Sequence, residues 1–95
     1  MFRVIWSDRA FKDLDQIDTF LCEKSPQASA NTILKILDRT RQMENFPLSG
    51  SPESLMPNHR YLVEGNYRII YRIDGETVFV VRIFDSRQNP EKVSL

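Results

Sequence analysis

Ninety-five residues suffice for one domain with a single modest core and are too few for two. Thirteen Lys and Arg offset thirteen Asp and Glu, so no global field draws the chain to nucleic acid or a membrane surface, and any electrostatic function must come from local clustering. The lone cysteine, Cys22, excludes an internal disulfide and suits a reducing cytoplasm; no apolar run approaches the ~18 to 20 residues that span a bilayer, and Met1-Phe2-Arg3 opens no signal-peptide core.

In chain order, Phe2 to Trp6 is a short run of β-formers and reads as a strand. Ser7 stands at an N-cap position with Asp8 in the first turn, and Ala10, Leu14, Ile17 and Leu21 then recur at helical spacing beside Phe20. This helix is expected to end at Glu23 to Ser25, before Pro26. A second helix is expected from Pro26–Ala28 to about Asn45, with Ala30, Ile33, Leu34, Leu37 and one of Thr40 or Met43 facing inward. So short a connection makes the pair an antiparallel hairpin. The segment from Phe46 to Asn58, with three prolines, a glycine and three serines, reads as an ordered irregular loop, the kind of element that presents side chains on a scaffold.

Arg60 to Glu64 reads as a strand and Gly65-Asn66 as a tight hairpin turn. From Tyr67 to Ile73, Tyr and Ile on odd positions alternate with Arg, Ile and Arg on even ones, which puts an apolar face opposite a cationic one. Thr77 to Phe84 alternates similarly. A three-residue loop, Asp74-Gly75-Glu76, would place odd residues opposite odd ones, gathering Tyr67, Ile69, Tyr71, Phe79, Val81 and Ile83 on the core face and Arg68, Ile70, Arg72, Val78, Val80 and Arg82 on the other. A two-residue turn would mix the sets, and the buried pattern favours the longer loop. Arg87 follows the last strand, and the remaining polar tail reads as extended.

The expected fold is a single α+β domain over 1–95: an N-terminal strand, then an antiparallel two-helix hairpin packed on one face of an antiparallel sheet (β-α-α-β-β-β). Its other face carries the arginines. On a solvated sheet face such arginines are as often simply hydrated as functional. The chain has no glycine-rich phosphate loop, no metal-ligand spacing and no nucleophile elbow, so no cofactor or metal is expected. A Cys22–His59 catalytic pair is disfavoured because a lone helical cysteine is usually a small buried hydrophobe. His59 as acid or base competes with its reading as a surface histidine, and a Glu64–Asp85 carboxylate pair with that of turn-flanking acids.

Taken together, Trp6-Ser7, Asp13-Leu14 and Ile17, Phe46-Pro47-Leu48-Ser49-Gly50, Arg60-Tyr61-Leu62-Val63, Gly65-Asn66-Tyr67-Arg68-Ile69-Ile70-Tyr71 and Val81-Arg82-Ile83 leading to Arg87-Gln88-Asn89-Pro90 make nearly the whole chain resemble the RelE/ParE superfamily of toxins from bacterial type II toxin-antitoxin systems. Within it the chain looks closer to ParE. RelE-like members are ribosome-dependent messenger-RNA endoribonucleases that hold the phosphate with Lys and Arg and often use a C-terminal Tyr or His as acid or base. On that resemblance Arg68, Arg87 and His59 are the catalytic candidates, but Gln88 to Leu95 supplies neither Tyr nor His. ParE-like members lack that set and poison DNA gyrase, which fits better, although many carry His where this chain has Asp85.

The resemblance therefore implies a cytoplasmic toxin that blocks DNA gyrase and replication and is more plausibly a non-enzyme. An mRNA interferase acting on the ribosome is the alternative, and a non-toxic antitoxin-binding module the second. Either branch implies a cognate antitoxin, bound through Arg60, Arg68, Arg72, Arg82 and Arg87. Assembly as a homodimer or as a toxin-antitoxin hetero-oligomer stays open.

Overall fold

The computed structural model of the chain describes residues 1–54 and 56–87. β1 (Arg3–Trp6) leads into α1 (Asp8–Cys22) and α2 (Pro26–Gln42), and β2 (Ser51–Pro52), β3 (Arg60–Glu64), β4 (Tyr67–Asp74) and β5 (Thr77–Asp85) follow. The strands form one sheet in the order β1-β5-β4-β3-β2. β3, β4 and β5 are the expected antiparallel meander. Two features extend it: β1 pairs parallel to β5, which makes the sheet mixed, and the two-residue β2 inside the loop pairs with Arg60 and Tyr61.

Both helices start on serine caps. The Ser7 hydroxyl accepts the Ala10 amide at 3.0 Å and Ser25 accepts that of Ala28 at 3.2 Å, with Pro26 in the first turn where its missing N–H costs nothing. α1 buries Ala10 and Asp13 and half-buries Leu14, Ile17 and Leu21, while Phe20 is exposed. In α2 the expected inward set is rotated. Ser29, Ile36, Thr40 and Met43 are buried, Ile33 and Leu37 are half-buried, and Ala30 and Leu34 face solvent. The observed stripe steps by three and four residues as a helix requires. It admits two polar residues because each finds a partner: Ser29 Oγ donates to Asp18 Oδ1 across the hairpin at 2.5 Å, and Thr40 Oγ1 donates to Leu37 O at 2.8 Å.

The β4–β5 hairpin departs from the expected register in an instructive way. Its turn has two residues, Gly75 and Glu76, with Gly75 at φ 59°, so Asp74 faces Thr77, Ile73 faces Val78 and Tyr71 faces Val80. A β-bulge then shifts the pairing so that Ile70 faces Arg82 and Ile69 faces Ile83. One extra residue, Val81, absorbs the mismatch. The helix-facing core consequently takes Val78 and Val80 from the turn half of β5 and Ile83 from the far half, together with Leu62, Tyr67, Ile69, Tyr71, Ala10, Ile36 and Met43. Phe79, expected inside, lies opposite Arg72, and Val81 is only half-buried.

The rotation of α2 gives a direct test. Ile36→Ala should lower unfolding free energy by ~2 to 5 kcal/mol, as expected for deleting a fully buried branched side chain. Leu34→Ala, at an exposed position, should stay within ~0.5 kcal/mol of wild type in the same urea titration.

Candidate partner-binding site

β1 stops pairing at Trp6, where the chain turns into α1, so β5 beyond Val80 has no strand on that side. α1 closes the gap. The Asp13 carboxylate accepts Arg82 Nε–H at 2.7 Å, Arg82 Nη2–H at 3.2 Å and the Ile83 amide at 2.9 Å. Both side chains are buried, 9% and 6% exposed for Arg82 and Asp13. Ser7 Oγ adds a bond to Val81 O, tying the start of α1 to the bulge. Arg82 is therefore not part of an outer basic surface as the sequence led one to expect. The bulge places it at the sheet edge, where the acid of α1 can reach it.

Arg60 is also displaced from that surface. It lies opposite Tyr71, on the helix side, and its Nη1 donates to Gly50 O at 2.8 Å. The Tyr71 hydroxyl accepts the Gly50 amide at 2.9 Å and donates to Pro47 O at 2.8 Å. Burial pushes the Tyr71 phenol above its usual range, partly opposed by the Gly50 N–H and the Arg60 charge. A Cβ on Gly50 would stand 2.6 Å from both Tyr61 O and Tyr71 Oη, so only glycine fits there. These contacts fasten the proline/glycine loop to the sheet and leave Phe46 and Leu48 projecting, 67% and 65% exposed.

Arg68 and Arg72 do share the outer face. The Arg68 guanidinium lies 4.0 Å above the Tyr61 ring and its Nη1 donates to Glu53 Oε2 at 3.1 Å. Arg72 lies 4.5 Å above Phe79, with its Nη1 3.8 Å from Asp74. Glu53, buried in the loop, went unremarked in the sequence; a single acid among prolines and serines carries no spacing signal. His59, half-buried, has Nδ1 2.8 Å from Pro57 O and borders a cleft with Pro52, Glu53, Asn58, Arg60 and Ile73. Cys22 is exposed at the end of α1, its Sγ against Asp18, which removes its reading as a buried hydrophobe and gives no catalytic partnership with His59.

At the far end of the sheet, Glu64, Tyr67 and Asp85 stand in one row across β3, β4 and β5. Each acid has its own cation. Glu64 lies 3.9 Å from Arg39 of α2, and Asp85 takes Arg87 through both carboxylate oxygens, at 2.5 Å to Nη2. They are turn-flanking ion pairs rather than a carboxylate dyad. Burial, and after it the Asp85 charge, raises the Tyr67 phenol. Among the described residues no group of three or more His, Cys, Asp or Glu could hold a metal ion, and none of the described helices is long and apolar enough to cross a membrane.

Two helices on one face of a five-stranded mixed sheet, with an arginine-bearing outer face and a loop clamped by Tyr71, define a toxin of the RelE/ParE superfamily. The chain belongs to the family described as the ParE toxin of type II toxin-antitoxin systems, whose profile matches residues 4–90. It is 33% identical over 94 residues to Toxin ParE3 of Caulobacter vibrioides, covering 94% of this chain and 91% of that protein. Its fold is similar to a chain of the chromosomal ParDE system of P. aeruginosa, with a TM-score of 0.78 at 21% identity, covering 90% and 96% of the two chains. A chain of the RelBE2 toxin-antitoxin complex of Mycobacterium tuberculosis matches at 0.64 and 23%, covering 88% and 96%.

The Asp85–Arg87 pair predicts a pH dependence. The hydrogen bonds from Arg87 hold the Asp85 carboxyl below its usual range, outweighing the opposing effect of burial. A depressed folded-state value means stability that is present above the unfolded value, about 3.9, and lost as pH falls through the folded one. Between roughly pH 5 and 3 the urea midpoint of wild type should fall more steeply than that of Asp85→Asn.

Proposed function

We propose that the chain is a toxin that inhibits DNA gyrase, blocks replication, and is neutralised by a cognate antitoxin. The observation that carries the reading is how the sheet's arginines are used. Arg60 holds Gly50, Arg68 holds Glu53, Arg72 lies on Phe79 beside Asp74, Arg82 holds Asp13 and Arg87 holds Asp85. Cations already paired with groups of the same chain make a poor clamp for a scissile phosphate, which needs preorganised charge directed at the developing oxyanion. The segment after Arg87 also brings neither Tyr nor His. A general acid or base contributes ~10² to 10⁴ in rate, and cleavage would need one from elsewhere, such as His59. Membership in the ParE family supports a toxin role with an antitoxin partner, and gyrase as the target is what the resemblance to ParE implies.

One observation favours the ribonuclease reading. Arg68, Glu53 and Tyr61 form one cluster, offering a cation and a phenol on the outer face with a carboxylate behind the cation. The two readings separate cleanly in vitro. Purified chain should block supercoiling by gyrase, and primer extension on ribosome-bound message should show no cuts. Codon-specific cuts in wild type that vanish in Glu53→Gln or His59→Ala would replace the gyrase reading with the nuclease one. Expression of the chain alone should arrest growth, and co-expression of its cognate antitoxin should restore it.

A further inference from the structure

We propose that Glu53 is an internal stand-in for a partner's carboxylate: it occupies and masks Arg68 until an acidic segment of another protein displaces it. The inference rests on the reading above in needing a protein partner, and it adds how the arginine surface is guarded before that partner arrives.

The Arg68–Glu53 contact is incomplete. A guanidinium offers five N–H donors and grips a carboxylate best through two parallel bonds. Here one nitrogen, Nη1, meets one oxygen, Oε2, while Nε is buried with no hydrogen-bond partner. A buried, unsatisfied donor is costly and in native structures calls for an explanation. Rotation outward would return Nε to water or to a ligand, which offsets part of the cost of uncovering Glu53.

Access is one-sided. The Glu53 side chain is 3% exposed and that of Arg68 28%, so an approaching group reaches the guanidinium and not the carboxylate. The Tyr61 ring beneath supports the guanidinium as a flat platform. Gly50 is pinned by Tyr71 and Arg60, and the Glu53 amide donates to His59 O at 2.8 Å, so it is the Arg68 side chain that moves in the exchange.

The ligand class follows from charge. A polyanion binds by neutralising several phosphates at once. This chain has no net charge, and Arg72, Arg82 and Arg87 each pair with an acid of the chain, so one exchangeable arginine suits one carboxylate. The resident group is itself a carboxylate, and an Asp or Glu of a partner replaces it like for like.

The test follows the Arg68 Nε–Hε resonance of the full-length chain during titration with a capped tetraglutamate peptide, and in parallel with the oligonucleotide dT8. Tetraglutamate should move the resonance in wild type, and Glu53→Gln should bind it roughly tenfold tighter, the scale of one charge-assisted hydrogen bond. Arg68→Gln added to Glu53→Gln should abolish the gain. Glu53→Asp, which keeps the charge on a shorter arm, should give a smaller gain and serves if the Gln variant does not fold. A resonance unmoved by saturating tetraglutamate, or no gain in the folded variants, would overturn the proposal. A larger gain for dT8 than for tetraglutamate would overturn it in favour of nucleic acid. Growth arrest and its rescue test the parent function separately, so a null titration beside intact rescue removes the exchange alone.

Discussion

The Asp13 carboxylate is the group on which the rest of the architecture depends. β1 is too short to cover β5, and the bulge at Val81 turns Arg82 out of the sheet's regular alternation. Without an acceptor from α1, that edge would carry an unpaired amide at Ile83 and a buried cation. Asp13 serves both, and so fixes where α1 lies along β5. Desolvating two charges costs several kcal/mol per ion, and a buried pair offsets this only with good geometry and further hydrogen bonds. Both conditions are met here, with two bonds from Arg82 and one from the backbone. The arrangement also blocks the edge, since the amide that a further strand would use is already taken.

The same pairing of charge within the chain recurs across the molecule and shapes what its surface can offer. Arg60 secures the loop through Gly50, Arg39 approaches Glu64, and Arg87 closes on Asp85. A sequence with many arginines in its second half therefore folds into a protein whose sheet is far less cationic than its composition suggests. What remains outward is mixed. It comprises the two stacked guanidinium groups, Arg68 and Arg72, and apolar projections such as Phe46 and Leu48 held on a rigid loop. Exposed apolar groups and supported guanidinium planes are both surface chemistry of protein recognition, where Arg and aromatic residues carry much of the binding energy.

Local signals were legible in the sequence, and long-range ones were not. Ser7 and Pro26 mark the helix starts correctly, and Gly65-Asn66 marks its hairpin, because caps and turns are decided within a few residues. The β4–β5 register misled in half the hairpin. A period-two pattern of apolar residues on β5 is satisfied equally by a longer loop or by a two-residue turn plus a bulge, and only Tyr71 facing Val80 while Ile69 faces Ile83 tells them apart. The inward stripe of α2 was partly misplaced because Ser29 carries no hydrophobic signal, while Leu34 carries a strong one and remains outside. The ion pairs Asp13–Arg82 and Glu53–Arg68 join residues 69 and 15 apart, and no spacing rule pairs them. The opening alternation of Tyr, Arg and Ile was read correctly as a sheet with two chemically different faces. Where each arginine then points was decided by partners elsewhere in the chain.

The account stands or falls on the buried pair that fastens α1 to the bulged strand. A double-mutant cycle with Asp13→Ala, Arg82→Ala and the double variant, each measured by urea unfolding, isolates the coupling from the cost of truncating either side chain. Each single change should be severe, because it removes the main partner of a buried charge, and the double variant should recover much of the loss, giving a coupling of at least ~2 kcal/mol. Additive effects, with a coupling below ~0.5 kcal/mol, would mean that Asp13 and Arg82 do not hold the helix to the sheet.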